Sequence, residues 1–282
     1  MNPGIYRNLP FDEYKAIQAW NPSLIWHARR SPKYCNHIRH NPKPATPAMG
    51  FGSAIHCAVL EPDQFILRYC VWTGGRRSGK DYAEFCNVND VLTVLTVPEY
   101  EACCGARDSA RSHPVAGQLL ADTLADEVEV SLVWTDSETG LLCKGRPDIL
   151  QTDLIINLKS TTADISDTRA LTRIASTLGY HMKEAAYQAG VSVLTGDILP
   201  VKIIWVEQYA PFDVRVMNVP GEPVLTQGYD EWQRLLAEIA SCEASGVWPG
   251  CDQGESDLEI WQDTSAFEAI TKTLMCDGKK MF

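Results

Sequence analysis

The sequence Leu142-Cys-Lys-Gly-Arg-Pro-Asp-Ile-Leu150, followed after two residues by Asp153-Leu-Ile-Ile-Asn-Leu-Lys-Ser-Thr-Thr162, determines the expected fold. The first stretch is typical of a β-strand that ends in a carboxylate, because Pro147 lacks a backbone N–H and is tolerated only where the hydrogen-bond ladder can spare one. The second stretch is an apolar run of strand length that ends in polar residues. Since side chains alternate along a strand, Asn157 and Lys159 are expected to share one face of the sheet.

The polar residues of these two strands are expected to converge at one corner of the sheet. There Asp148 offers a carboxylate, Asn157 a second oxygen and Lys159 an ammonium group, whereas Leu158 turns into the packing. Such a set suits the hydrolysis of a phosphodiester. Hard oxygens hold a divalent metal ion that stabilises phosphoryl charge, and a lysine orients the attacking water or neutralises the oxyanion. A solvated strand end is the alternative interpretation of the same spacing.

Composition and charge limit the classes of protein that this chain can represent. Its 282 residues are 45% hydrophobic, which fits one large α/β domain over residues 1–282 better than two independent domains. A helical elaboration is expected over about 1–48 and a tail over about 250–282. The net charge of −11 is unusual for a protein that coats nucleic acid, but a catalytic channel needs only a local basic lining.

Cysteine usage and apolar runs indicate a cytoplasmic protein without a membrane segment. The first residues, Met1–Pro10, contain no apolar signal core, so the ten cysteines are expected to be reduced thiols. The longest apolar runs fall far short of a membrane span.

Periodicity predicts the elements around the polar corner. A strand over Glu127–Trp134 is expected to form an antiparallel hairpin with the strand before Asp148, and this hairpin leads into the Lys159 strand of one sheet. Glu129 on that strand is either an additional carboxylate of the site or an exposed glutamate. Helices are further predicted at Phe11–Ala19, Asn21–Arg30, 99–126, 168–194 with a break near Gly179, and Val224–Ala244. Pro32 is expected to end the second of these helices. Strands are predicted at Val201–Gln208 and Phe212–Val219.

A helix after the proline-rich segment 41–48 carries a histidine beside two small residues. Gly52, Ser53 and His56 share one face of this helix, so that another group can approach His56 closely. A lone histidine in this setting is either a packed core residue or part of a site.

A glycine-rich segment, Trp72-Thr-Gly-Gly-Arg-Arg-Ser-Gly-Lys-Asp81, has the G-x-x-x-x-G-K spacing of a phosphate-cradling loop in NTP-dependent enzymes. Asp81 stands where Ser or Thr would hold Mg²⁺, and its carboxylate would repel the phosphates. The favoured roles are therefore contact with a DNA backbone through Arg76, Arg77 and Lys80, or a solvated turn.

Four stretches in a fixed order carry a family resemblance: Gly50–Pro62, Gly145–Asp148, Asn157–Thr162 and Gly179–Tyr187. Together they resemble the motifs of RecE-type exonucleases, also called exodeoxyribonuclease VIII-like, in the PD-(D/E)XK nuclease superfamily. The similarity runs from about residue 21 to about residue 248. The family has Asp or Glu where this chain has Asn157, and often Gln where this chain has Lys183.

The resemblance implies a restriction-endonuclease-like α/β fold, with a mixed central sheet flanked by helices. It implies a Mg²⁺-dependent 5′ to 3′ exonuclease that digests double-stranded DNA ends and leaves single-stranded 3′ overhangs, as in phage-type recombination, with Mn²⁺ as a substitute ion. The implied metal ligands are His56, Asp148, Asn157 and the carbonyl of Leu158. With Lys159, the first three would form the catalytic set.

The resemblance also implies contacts and partners. Lys183 and Tyr187 would contact DNA, and family members form homo-oligomeric rings that work beside a RecT-like single-strand annealing protein. Because Asn157 lacks the acidic charge, a catalytically inactive DNA-binding or assembly protein on the same fold is the alternative.

Overall fold

Strand pairing in a computed structural model of the chain places the polar corner between two sheets. The structure describes residues 1–44, 46–89, 92–251 and 254. Within them the strands are β1 (Gly4–Tyr6), β2 (Tyr69–Trp72), β3 (Thr93–Thr96), β4 (Ser131–Thr135), β5 (Leu142–Gly145), β6 (Ile149–Leu150), β7 (Ile155–Thr161), β8 (Val201–Glu207) and β9 (Val214–Val219). One antiparallel sheet has the order β1–β4–β5, and β2 pairs with β3 in parallel. The third sheet has the order β6–β7–β8–β9 and is mixed, because β7 and β8 run parallel.

Helices surround these sheets, and several begin in the same way. In the described residues they are α1 (Phe11–Ala16), α2 (Pro22–Ile25), α3 (Pro32–His40), α4 (Pro47–Leu60), α5 (Pro62–Arg68), α6 (Lys80–Val88), α7 (Val97–Ser112), α8 (Pro114–Asp122), α9 (Thr168–Thr177), α10 (Tyr180–Thr195) and α11 (Thr226–Ser245), with short helical turns at Trp26–Arg29, Ala125–Glu127 and Gly221–Leu225. Five of them have a proline in the first turn and a preceding side chain that accepts a backbone N–H; these caps are Asn21, Ser31, Thr46, Thr96 and His113.

Helices cover both faces of the third sheet. On one face, apolar side chains of β7 and β8 pack against α4 and α7; they are Ile156, Leu158, Ile204 and Val206. On the other face, Ile155 joins a core with α10 and α11, and Trp205 packs with α9. Alternation along β7 thus turns Asn157 and Lys159 towards α10 and confirms that Leu158 packs inward.

This architecture confirms the expected mixed α/β fold with sheets flanked by helices, but the single central sheet is divided. β5 ends at Gly145 and β6 begins at Ile149, so the chain passes from one sheet to another over these residues. Between them, Pro147 has no N–H to offer to a ladder. An isolated bridge joins Val128 to Ile149. Asp148 consequently lies at the junction of two sheets and not inside a strand.

The first helix ends at Ala16 and not at the predicted Ala19. At two further helix boundaries that differ from the predicted ones, proline is the reason. The helix predicted over 99–126 is divided at His113 into α7 and α8, because Pro114 cannot continue the hydrogen-bond pattern of the preceding turns. Pro32 begins α3 instead of only ending the preceding helix, since Ser31 caps it.

The strand predicted over Glu127–Trp134 is shorter than expected. It begins at Ser131, because Glu129 has a φ of +54°, a left-handed conformation that interrupts an extended strand. Glu129 is therefore presented from a backbone kink.

The chain divides into a unit over Met1–Gly250 and a second over Cys251–Phe282. The predicted tail over 250–282 lies outside the described residues, apart from Gly250, Cys251 and Gly254. None of the helices in the described ranges is long and apolar enough to cross a membrane.

Lys144 on β5 stabilises the C-terminal end of α1. The residue is 5% exposed, and its Nζ donates to the carbonyl oxygens of Tyr14, Lys15 and Ile17 at 2.9, 3.1 and 2.8 Å. Carbonyls at the end of a helix have no partner within the helix. Burial lowers the pKa of Lys144, and the three carbonyl oxygens replace the water that its ammonium group loses.

Lys144→Met is expected to lower the free energy of unfolding by about 2 to 4 kcal/mol, because it leaves these carbonyls without their shared donor. Urea unfolding measures the difference. Lys33→Met, at an exposed position of α3, is the control and should change the free energy by less than about 0.5 kcal/mol. If Lys144→Met also changed the free energy of unfolding by less than about 0.5 kcal/mol, water would have to bind the three carbonyls as well as the ammonium group does.

Candidate active site

Asp148 is the centre of a group of polar side chains from β7, α4 and α10. Its Oδ2 accepts the backbone N–H of Leu158 at 2.6 Å. The same oxygen lies 3.6 Å from Nζ of Lys159 and 3.8 Å from Nδ1 of His56. The predicted convergence of Asp148 with Lys159 is thus present, and His56 joins it from α4.

Asn157 uses both ends of its amide inside the protein. The residue is 1% exposed; its Oδ1 accepts the backbone N–H of Asp148 at 3.0 Å, and its Nδ2 donates to Oε2 of Glu184. Rotating the amide by 180° would set an N–H against an N–H and an oxygen against a carboxylate, so the partners determine its orientation. Asn157 therefore positions the backbone of Asp148 and binds Glu184.

Glu184 on α10 is the site residue that the sequence analysis missed. It is 1% exposed, and burial raises its pKa to about 7, an effect that Asp148 increases and Lys159 opposes. A sequence signal existed, because Tyr180, Glu184 and Tyr187 recur at helical spacing on the buried side of α10. A carboxylate on such a stripe needs a polar partner, and Asn157 is that partner.

Lys159 remains a cation in this setting. Burial alone would lower the pKa of its ammonium group, but the nearby carboxylates of Asp148 and Glu184 raise it overall. Its Nζ also lies 5.4 Å from the centroid of the Tyr180 ring. A lysine held in its charged form can neutralise a phosphoryl oxygen or orient water, whereas it is poorly suited to accept a proton.

Glu129 reaches the same region from its kink. Arg146 donates from Nε to Oε2 of Glu129 at 2.7 Å and from Nη1 to Oγ of Ser131 at 2.9 Å. Burial, followed by the negative charge of Asp148, raises the pKa of Glu129 to about 7. Of the two roles left open for Glu129, this arrangement favours an additional carboxylate beside Asp148.

A cavity of about 1180 Å³ opens beside Glu129. Its walls include Gly52, Ser53 and His56 of α4 together with Glu129 and Arg146, so the three residues predicted to share a helix face do line one space. Burial is the main cause that lowers the pKa of His56, which favours the neutral imidazole. A neutral imidazole can act as a ligand or a hydrogen-bond partner.

The other predicted contact residues lie in different surroundings. Arg77, in the loop before α6, pairs with Glu99, and Lys80 is the first residue of α6. The ring of Tyr187 packs closely against Gly145, where a side chain of any size would strike it. The predicted DNA contacts of Tyr187 and of the loop containing Arg76, Arg77 and Lys80 stay predictions.

The donor set of this site suits a hard divalent cation in its chemistry. Asp148, Glu129 and Glu184 supply carboxylate oxygens, and burial together with the negative charge of Asp148 raises the pKa of both glutamates. In the parts of the chain that the structure describes, no three His, Cys, Asp or Glu side chains are yet grouped closely enough to share an ion. The side chains would have to draw closer to bind one.

Glu184 is expected to make the metal-free protein less stable as pH rises. Its folded pKa of about 7 exceeds the ordinary value of 4.5, so the folded state binds the proton more tightly than the unfolded state. Stability should therefore be full below about pH 4.5 and decline up to about pH 7, with a contribution of at most about 3 kcal/mol.

Melting temperatures in EDTA at pH 5 and pH 8 measure this effect. Glu184→Gln should reduce the loss between the two pH values, whereas Glu101→Gln, at an exposed position of α7, should leave it unchanged. An identical loss in parent and Glu184→Gln would mean that Glu184 already ionises normally when it is buried.

The divided sheet with its flanking helices, and an aspartate and a lysine that meet at the junction, define the restriction-endonuclease-like fold of the PD-(D/E)XK nuclease superfamily. Within that class, the chain belongs to the family of PDDEXK-like domains of unknown function, DUF3799, whose sequence profile matches residues 27–258.

One solved structure supports the same fold. It is the crystal structure of a candidate exonuclease from Eubacterium rectale, with a TM-score of 0.56 and 14% sequence identity, and the match covers 94% of this chain and 99% of that one. At this identity the likeness concerns the fold. Comparison with curated proteins finds no match.

Proposed function

We propose that the protein is a Mg²⁺-dependent exonuclease of the RecE type, which digests double-stranded DNA from its ends in the 5′ to 3′ direction. The observation that carries this proposal is the group formed by Asp148, Lys159 and His56 at the sheet junction, with Asp148 Oδ2 anchored by the N–H of Leu158. Membership of a PDDEXK-like family supports the nuclease class. Exonuclease action on DNA, its direction, the metal ion and the role in recombination are the proposed part.

The residues have separate tasks in this proposal. Asp148 and Glu129 offer oxygens for the cation, as does the carbonyl of Leu158, and Glu184 holds Asn157 beside them. When bound, the cation would lower the pKa of a water molecule and offset phosphoryl charge. Lys159, which remains charged, would hold a non-bridging phosphoryl oxygen or orient the attacking water. His56 would complete the polar wall on the cavity side.

The proposed substrate is the end of a DNA duplex, and the proposed product is a duplex with a single-stranded 3′ overhang. Such a product requires a protein that binds single strands, so a RecT-like annealing protein is the proposed partner. A homo-oligomeric ring is proposed because it would keep the enzyme on one DNA end.

A second candidate function rests on Asn157. Its amide is neutral, and both of its ends are hydrogen-bonded, one to the Asp148 N–H and the other to Glu184. The polar groups of the site are therefore satisfied although β7 carries no acidic residue at this position. On this alternative, the protein binds DNA or assembles on it and does not cut.

Digestion of duplexes labelled at the 5′ or the 3′ end, with Mg²⁺, with Mn²⁺ and with EDTA, decides between the two functions. The proposal expects early release of 5′ label with either metal and none with EDTA. Asp148→Asn should stop digestion while keeping an acceptor for the Leu158 N–H. DNA binding without release of either label would establish the non-catalytic alternative, and early release of 3′ label would reverse the proposed direction.

A further inference from the structure

Positive charge is concentrated in one part of this acidic chain. The net charge is −11, yet residues 14–60 contain no Asp or Glu. The same segment carries six Lys or Arg residues: Lys15, Arg29, Arg30, Lys33, Arg39 and Lys43. A local excess of this kind creates a positive potential that the overall charge conceals.

Tyr34 of α3 organises several of these charges into one surface. The Arg30 guanidinium lies 4.2 Å from the centroid of the Tyr34 ring, and Nζ of Lys43 lies 3.4 Å from its hydroxyl oxygen. The His27 ring meets Tyr34 edge to face, with 5.6 Å between the centroids. Lys183 of α10 adjoins the group, because α10 begins beside Trp26: Gly179 lies against the Trp26 ring, and the His181 ring meets that ring edge to face with 5.8 Å between the centroids. After burial, the charges of Lys183 and then Lys43 also lower the pKa of His27.

We infer that His27, Arg30, Tyr34, Lys43 and Lys183 form a binding surface for the phosphate backbone of the DNA substrate. We call these five residues the basic surface. The inference rests on the proposed function for the identity of the polyanion and extends it, because it assigns the binding of the strand to residues outside the catalytic group.

The cations of the basic surface are available to an external anion. Arg30, Lys43 and Lys183 have no ion pair with any residue in the described ranges, whereas their neighbours Arg29 and Arg39 pair with Glu231 and Glu243. Arg30 and Lys43 are exposed. Positive groups that are close together and unpaired repel one another, and a phosphate chain would relieve that repulsion.

The surface continues into the catalytic group through Tyr180. Nζ of Lys183 lies 5.6 Å from the centroid of the Tyr180 ring, and Nζ of Lys159 lies 5.4 Å from the same centroid. Lys159 in turn lies 3.6 Å from Asp148. A row of cations thus extends from Lys43 towards the proposed scissile position, which suits a polymer of phosphates better than a single small anion.

Aromatic rings within the row suit a polynucleotide for a second reason. Tyr34 and His27 place planar groups between the charges, and proteins that track DNA strands combine such rings with a basic groove. An anionic membrane surface would need the same charges but would gain nothing from a path that ends at Asp148.

The test is equilibrium binding of a labelled duplex and of a labelled single strand by fluorescence anisotropy, in EDTA so that no DNA is cut. The double variant Arg30→Ala with Lys43→Ala should weaken binding at least about 10-fold. It should also reduce the slope of log K against log of the salt concentration by about two, one for each lost phosphate contact.

The matched control is the double variant Lys202→Ala with Arg234→Ala, which removes the same charge from β8 and α11. The control should bind DNA as the parent does. Equal weakening in both double variants, or in neither, would overturn the inference. Thermal melting of each variant verifies that it is folded.

The outcome is independent of catalysis and separates the two proposals. If the parent binds DNA through the basic surface but releases no label with Mg²⁺, the inference holds and the nuclease proposal fails. If the parent digests DNA and the Arg30/Lys43 variant binds normally, the inference fails alone. Binding of vesicles of anionic lipid that depends on Arg30 and Lys43, with unchanged DNA binding, would also overturn it.

Discussion

Asn157→Asp is expected to accelerate single-turnover digestion of a duplex at saturating Mg²⁺ by orders of magnitude. The amide oxygen of Asn157 can approach a cation but carries no net charge, so it offsets little of the cost of stripping water from Mg²⁺. A carboxylate at this position would also raise the basicity around metal-bound water. The parent should therefore release 5′ label slowly, and a parent that does not cut at all would belong to the non-catalytic alternative.

The structure adds a consequence for stability that does not depend on activity. Nδ2 of Asn157 donates to Oε2 of Glu184, so Asn157→Asp sets a carboxylate against a carboxylate in a buried place. In EDTA the variant should melt at a lower temperature than the parent. Mg²⁺ should raise the melting temperature of the variant by more than it raises that of the parent, because the bound cation offsets the repulsion between the two carboxylates.

Asn218→Asp is the control for both measurements, since residue 218 is exposed on β9. It should change neither the digestion rate nor the response of melting to Mg²⁺. If the parent already digests DNA rapidly and Asn157→Asp changes nothing, position 157 is not the position of a second metal ligand, and the motif alignment is wrong.

Lys159→Ala is expected to remove nuclease activity, with a loss of at least about 100- to 1000-fold in the rate of the chemical step. The reason is electrostatic: Lys159 is held 3.6 Å from Asp148, and the carboxylates of Asp148 and Glu184 keep it charged. Its removal takes away the group that would face the phosphoryl oxygens. DNA binding should fall much less, because Arg30 and Lys43 remain.

Single-turnover digestion measures the rate, and anisotropy in EDTA measures binding. If the parent cuts too slowly to measure, Lys159→Ala is compared within the Asn157→Asp background. Lys202→Ala on the neighbouring strand β8 removes the same charge and should leave the rate unchanged in either background. Equal activity with and without Lys159→Ala would place the catalytic site elsewhere in the chain.

Local sequence was sufficient for the features that depend on short-range geometry. The alternation of side chains along β7 placed Asn157 and Lys159 on one face and Leu158 on the other, because a strand has a period of two residues whatever surrounds it. Pro147 marked the end of a ladder because it has no N–H to donate. The helical spacing of Gly52 and His56 likewise placed both on the wall of one cavity.

Sequence also contained two signals whose meaning depended on distant partners. The absence of acidic residues from 14 to 60 was visible, but only the packing of α10 beside Trp26 brings Lys183 towards the segment that carries Lys43. Glu184 stood on the buried stripe of α10, but nothing local shows that the stripe faces Asn157.

Tertiary structure alone decided how the site is completed. Asn157 and Glu184 are 27 residues apart and meet only because α10 packs on the face of β7 that carries the polar side chains. The division of the sheet at Asp148 and the left-handed backbone of Glu129 depend on contacts between separate sheets, such as the bond from the Glu129 N–H to the Asp148 carbonyl at 2.8 Å. Periodicity describes the order of residues within one element, whereas these contacts join different elements. They contribute to stability only after the elements have packed together, so the local sequence does not predict them.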